Sequence, residues 1–77
     1  MASLVYFKKL SEDSDSVVYS FGGDPSQMVR QLTMDRNTHR PQPDEEGVDY
    51  LFLKASYKIA AMYNERNEWP ERGMSAS

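Results

Sequence analysis

Apolar positions recur with a period near two through the first half of the chain and with a helical period near its end. Ser3 to Leu10 alternates and is rich in aromatic and branched residues, which predicts a strand. One face of it carries Leu4, Tyr6, Lys8 and Leu10, the other Val5, Phe7 and Lys9. Ser16 to Phe21 is the clearest strand, with Val17, Tyr19 and Phe21 sharing a face. The polar stretch Ser11 to Asp15 between these runs predicts a turn, and with it a hairpin. Gly22 to Ser26 predicts a second turn, through two glycines and Pro25. Met28 to Met34 then reads as a third strand, with Met28, Leu32 and Met34 on a face interrupted by Arg30. Asp35 to Thr38 is expected to turn, with Asn37 in the left-handed conformation. Thr38 to Gln42 offers a short fourth strand, confined to an edge by Pro41 and Pro43.

From Val48 to Tyr63 the pattern is helical. Asp44 or Asp49 is placed to cap the helix start, and the acids of 44–46 suit its positive end. Arg66, a left-handed Asn67 and Pro70 mark the stop. With about 100° between successive residues, Val48, Leu51, Phe52, Ala55, Ile59, Met62 and Tyr63 form a core stripe. Tyr50, Leu53, Tyr57, Ala60 and Ala61 gather on nearly the opposite side. That second stripe needs either a partner or a covering segment, and Trp69, Pro70 and Met74 are the segment at hand. Residues 71–77 are small and polar and are expected to fray, leaving about 3–70 ordered.

The expected fold is therefore α+β: three or four antiparallel strands in a meander, packed on one C-terminal helix as a two-layer sandwich. At 77 residues the chain is a single small domain, in which burial only narrowly offsets chain entropy. It has no cysteine, so no disulfide reinforces it, and a lone His39 without thiolates makes a structural zinc improbable. The remaining supports are good local geometry, a tightly packed core, or association. An apolar content of 39% marks a globular chain and not a disordered one. A net charge of −3 argues against a general binder of phosphate backbones. The first residues lack the order of a secretory signal and no segment has the length of a membrane span, so the cytoplasm is the expected compartment.

Candidate chemistry is sparse. Without a nucleophile paired to a base or a glycine-rich phosphate cradle, no enzyme activity is expected, and no cofactor or metal. The acidic runs at 12–15 and 44–46 lack the spacing of a calcium loop. Arg36, His39 and Arg40 form a basic cluster that could receive a phosphate or acidic peptide, but a solvated turn whose charges guard a sheet edge explains the same residues more simply. Tyr6, Phe7, Tyr19 and Phe21 with Lys8, Lys9 and Arg30 suggest base stacking on the hairpin.

The segments Tyr6-Phe-Lys-Lys-Leu-Ser11, Val48-Asp-Tyr50, Leu53-Lys-Ala-Ser56 and Trp69-Pro-Glu-Arg-Gly-Met-Ser-Ala-Ser77 resemble small uncharacterised actinobacterial proteins. The resemblance spans most of the chain and implies a bacterial cytosolic origin and a native C-terminus. It implies no activity and no site residues. The residues themselves point to a non-enzymatic protein-interaction module or homodimer, acting through Tyr50, Leu53, Tyr57 and Ala61. The alternative is a module for single-stranded nucleic acid, using the aromatic and basic hairpin.

Overall fold

In a computed structural model, which describes residues 4–76, five antiparallel strands form one sheet and a single helix covers one of its faces. The strands are β1 (Leu4–Glu12), β2 (Ser16–Gly22), β3 (Arg30–Asp35), β4 (Pro41–Gln42) and β5 (Arg72–Ala76), in the spatial order β4-β3-β2-β1-β5. The helix α1 spans Tyr50–Arg66. This is the α+β two-layer architecture that the patterning implies, with one strand more. The β1–β4 meander follows directly from the alternating segments and their turns. Asp13 closes the first turn by accepting from the amides of Asp15 and Ser16, at 2.8 and 2.7 Å. Asp35 closes the β3–β4 turn by accepting from the amides of Asn37 and Thr38. His39, not Asn37, takes the left-handed conformation there, with φ of 62°. The fourth strand is trimmed to Pro41–Gln42, because the preceding turn takes up residues 36–38 and Pro43 follows at once.

The fifth strand is the main departure. Of the tail expected to fray, residues 72–76 pair with β1 from Leu4↔Ala76 to Lys8↔Arg72, while Ser77 and Ser3 lie outside the described residues. Composition alone misled: Arg-Gly-Met-Ser-Ala is a poor strand sequence, yet an unpaired β1 edge and a buried anchor draw it in. The anchor is Tyr19, whose hydroxyl donates to the Pro70 carbonyl at 2.7 Å. Burial pushes that phenol's pKa well above its usual value. Lys9 adds a second tie, its amide donating to the Glu71 carbonyl at 2.7 Å and its ammonium meeting Glu12 and Glu71 at 2.7 and 3.1 Å.

Between helix and sheet lie Val5, Phe7, Val17, Tyr19, Phe21, Leu32, Met34, Phe52, Ala55, Ile59 and Trp69, all buried. Phe7 meets Tyr19 edge-on at 5.7 Å, and Phe21 tilts against Phe52 at 6.4 Å. Ser56 joins this layer unexpectedly; its hydroxyl donates to the Leu53 carbonyl at 3.2 Å, which makes its burial cheap. Two residues of the expected core do not belong to it. Val48 precedes the helix and is 63% exposed, because Asp49 caps α1 by accepting from the Phe52 amide at 2.9 Å. Met28 precedes β3 and leaves the Leu32–Met34 face; it sits with Pro25 and Tyr6 on the far side of the sheet.

Asp44 does not cap the helix. It binds the Arg30 guanidinium at 3.0 Å, and the same guanidinium reaches the Asp49 carboxylate and the Gly47 carbonyl. Arg30 also lies over the Phe21 ring, 4.9 Å from its centroid. The Arg30 bonds hold the Asp44 pKa down, to about 2. The first helical turn carries no acid, so Asp49 alone answers the dipole there. At the other end Arg66 occupies the last turn and Asn67 is left-handed at φ 59°, as the stop signals predict.

Candidate interaction surfaces

Helical spacing places Tyr50, Tyr57 and Ala61 on the outer side of α1, away from the sheet, and all three are exposed. Tyr57 is 69% and Tyr50 59% accessible, large values for aromatic rings two turns apart on one helix. The Lys54 ammonium lies 5.4 Å from the Tyr50 ring centroid. Leu53 flanks this stripe and is half-buried, packed against the core from its edge. The four residues expected to act together thus form one surface, with Leu53 as its inner border.

All three covering candidates lie elsewhere. Trp69 stacks on Tyr63 at 4.2 Å, and His39 meets both rings edge-on at 4.8 and 5.6 Å. This aromatic group belongs to the core side of the helix end, because Tyr63 and Trp69 both touch the buried cluster. Met74 pairs with Tyr6 in the sheet, one residue out of phase with Gly73, above whose backbone Phe7 and Met62 lie. Met74 therefore points to the sheet face that the helix does not cover. Pro70 is buried beside Trp69 and holds the Tyr19 hydroxyl.

The hairpin set divides in the same way. Phe7, Tyr19 and Phe21 are core residues, so of the four rings only Tyr6 stands on the open face. Arg30 is committed to Asp44 and Asp49, and Lys9 to Glu12 and Glu71. The basic cluster after β3 is also dispersed. Arg36 donates to the Asp13 carbonyl at 2.5 Å and approaches Glu12 at 3.6 Å, while His39 turns to Tyr63 and Trp69. An open groove of about 480 Å³ runs past Lys9, Glu12, Arg36, Arg66 and Trp69, with cations and acids interleaved along it. Among the described residues no group of three or more His, Cys, Asp or Glu side chains is arranged to hold a metal ion. No described helix is long and apolar enough to cross a membrane.

One surface was not foreseen. On the open sheet face Tyr6, Pro25, Met28 and Met74, together with Lys8 and Arg72, line a hollow of about 440 Å³. Sequence reasoning missed it because most of it comes from β5 and from a loop folded back across Gly22. A Cβ at Gly22 would stand 2.4 Å from the Gln27 carbonyl oxygen, so only glycine lets that loop approach so closely.

Known proteins supply no further guide: no family model, no curated protein and no solved structure matches this chain. The class is that of a one-helix, five-strand α+β domain whose outward surfaces carry its candidate chemistry.

Proposed function

We propose that this chain is a non-enzymatic interaction module of the cytoplasm that binds through the outer face of α1, and that the occupant is a second copy. The observation that carries this reading is the exposure of Tyr50 and Tyr57 on one helix face, with Trp69 and Met74 engaged elsewhere. The same face is self-complementary. Lys54 and Glu65, eleven residues apart, lie along one flank of the stripe, since eleven residues close about three turns. An antiparallel, two-fold packing centred between Ile59 and Ala60 sets each Lys54 opposite Glu65 of the other copy. It also brings Tyr57 against the small Ala61 of the other copy, where a ring has room.

Four tyrosine rings at these exposures offer on the order of 500 Å² of mostly apolar area. That falls short of the roughly 1,200 Å² of a stable interface, so the dimer is weak and concentration-dependent. Sedimentation equilibrium from micromolar to millimolar protein tests it. A reversible rise toward twice the monomer mass is expected, lost in Tyr57→Glu and in either Lys54→Glu or Glu65→Lys, and restored in the double charge reversal. A monomer at every concentration, or a double variant no better than the singles, overturns the reading.

A further inference from the structure

The hollow on the open sheet face lies on the opposite layer from α1 and does not depend on that dimer. Three observations converge on it. First, Lys8 and Arg72 are directly paired across β1 and β5, both exposed, and among the described residues neither forms an ion pair. Like charges at directly opposed positions repel and are destabilising. The repulsion is sharpest here, because the neighbouring Lys9–Glu71 pair is the hydrogen-bonded one, which leaves Lys8 and Arg72 in the closer, non-bonded pairing. Arg72 also borders the groove that contains Glu68 and Glu71, and it pairs with neither. Two adjacent cations without a counterion form a site that an incoming anion relieves.

Second, the cations border an apolar hollow, lined by Tyr6, Pro25, Met28 and Met74. Methionines adapt to varied apolar side chains, and the volume suits one or two of them. Third, the hollow adjoins β5, an edge strand with which no other described strand pairs on its outer side. The Lys9 amide bonds the Glu71 carbonyl, so residues 71, 73 and 75 turn their backbone groups toward β1. The N–H and C=O groups of Arg72, Met74 and Ala76 therefore point outward. The opposite edge of the sheet is blunted: β4 is two residues long and starts with Pro41. β5 carries no such guard, and its outward groups are the same residues whose side chains rise on the open face.

We infer that β5 receives an extended peptide strand from a partner, in which an acidic residue and an apolar residue stand two positions apart. The spacing follows from the pleat, since residues two apart share a face. The carboxylate meets Lys8 and Arg72 while the apolar side chain enters the hollow beside Met74 and Tyr6. Main-chain bonds to the β5 edge supply register, in the manner of strand addition. A second copy of β5 does not meet this requirement, because Arg72-Gly-Met-Ser-Ala76 contains no acid. Nor do the chain's own acidic turns: Asp13 bonds its local backbone, and Asp44 is held by Arg30.

The test is fluorescence anisotropy with a labelled, capped peptide Ser-Thr-Glu-Thr-Leu-Thr-Ser, alongside hydrogen exchange. Saturable binding is expected, weakened at least about tenfold when the peptide's Glu becomes Gln or when Lys8→Glu or Arg72→Glu is introduced. Arg72→Glu should in turn favour the peptide with Lys in place of Glu. Met74→Pro removes one outward N–H without touching the pairing with β1, and it should abolish binding while the circular dichroism spectrum is kept. Bound peptide should protect the amides of Arg72, Met74 and Ala76 from exchange. Failure to saturate by millimolar peptide, or binding indifferent to the charge reversals, overturns the inference. So does a single-stranded oligonucleotide that binds the face more tightly than the peptide, which would make it a nucleic-acid surface.

Discussion

Gly73 is where the unforeseen strand meets the core, and replacing it with alanine tests that contact directly. A Cβ at this position would lie 2.7 Å from Cζ of Phe7 and 3.2 Å from Cε2, with the Met62 sulfur at an ordinary 3.4 Å. The ring is only 1% exposed and is braced edge-on by Tyr19, so it has nowhere to turn without disturbing a second aromatic. The alternative is for β5 to lift, which stretches the Lys9–Glu71 bond and the ladder beyond it. Overpacking of this kind costs about 1–3 kcal/mol. For a domain of this size that lowers Tm by on the order of 5–20 °C. Thermal unfolding followed by circular dichroism, at a concentration low enough to avoid association, measures the shift. Hydrogen exchange at the amides of Val5, Phe7 and Lys9, which face β5, should quicken more than exchange at the β2–β3 ladder. Phe7→Leu in the same chain removes the ring edge and should recover part of the loss, a coupling visible only in the double variant. A Gly73→Ala protein that melts within about 1 °C of the parent would refute the packing of β5 on Phe7.

Three further outcomes follow from the charged and polar ties. Tyr19→Phe leaves the Pro70 carbonyl without its buried donor and should cost about 1–3 kcal/mol in denaturant unfolding, with the largest gain in exchange near β5. Because burial raises the Tyr19 pKa, its contribution is fully present below the ordinary phenol value of 10.0 and is lost as pH rises beyond it; Tyr19→Phe should flatten that alkaline decline. At the acid end the sign reverses. Asp44 is held at about 2 and Asp49 below its ordinary 3.8, so the stability they contribute is present above that value and fades as pH falls toward 2. Asp44→Asn should flatten stability against pH across that window, and an unchanged slope would mean that the Arg30 network does not form in solution.

The first three strands of the meander were legible from local pattern: Val17, Tyr19 and Phe21 alternate, and Asp13 and Asp35 have the short side chains their turns use. The helix stop was legible for the same local reason, in Arg66, Asn67 and Pro70. What could not be read were features made by distant partners. β5 has no strand pattern of its own and exists because β1 presents an edge and Tyr19 reaches Pro70, 51 residues away in sequence. Arg30 looked like an interruption in an apolar face. Its meaning lies in Asp44 and Asp49, which share no periodicity with it. The exposure of Tyr50, Tyr57 and Ala61 on one helix face follows from helical spacing alone, whereas the hollow needed β5, the loop over Gly22 and the Lys8–Arg72 register to be known first.

A two-layer domain has two outward faces, and here they differ in what can neutralise them. The outer face of α1 carries both signs, Lys54 and Glu65 on one flank, so an identical copy turned about a two-fold axis satisfies it. Among the described residues the open face beside β5 presents two cations, Lys8 and Arg72, so under the strand-docking proposal the partner brings the acid. The proposed dimer through the helix would leave both β5 edges open, one on each copy. A weak dimer with two equivalent strand-docking edges binds a doubly tagged partner with an effective concentration that a monomer lacks. Tyr57→Glu should therefore leave affinity for the single peptide unchanged and reduce affinity only for two peptides joined by a flexible linker. Equal loss for both would mean that the helix face and the β5 edge are one site, and not two.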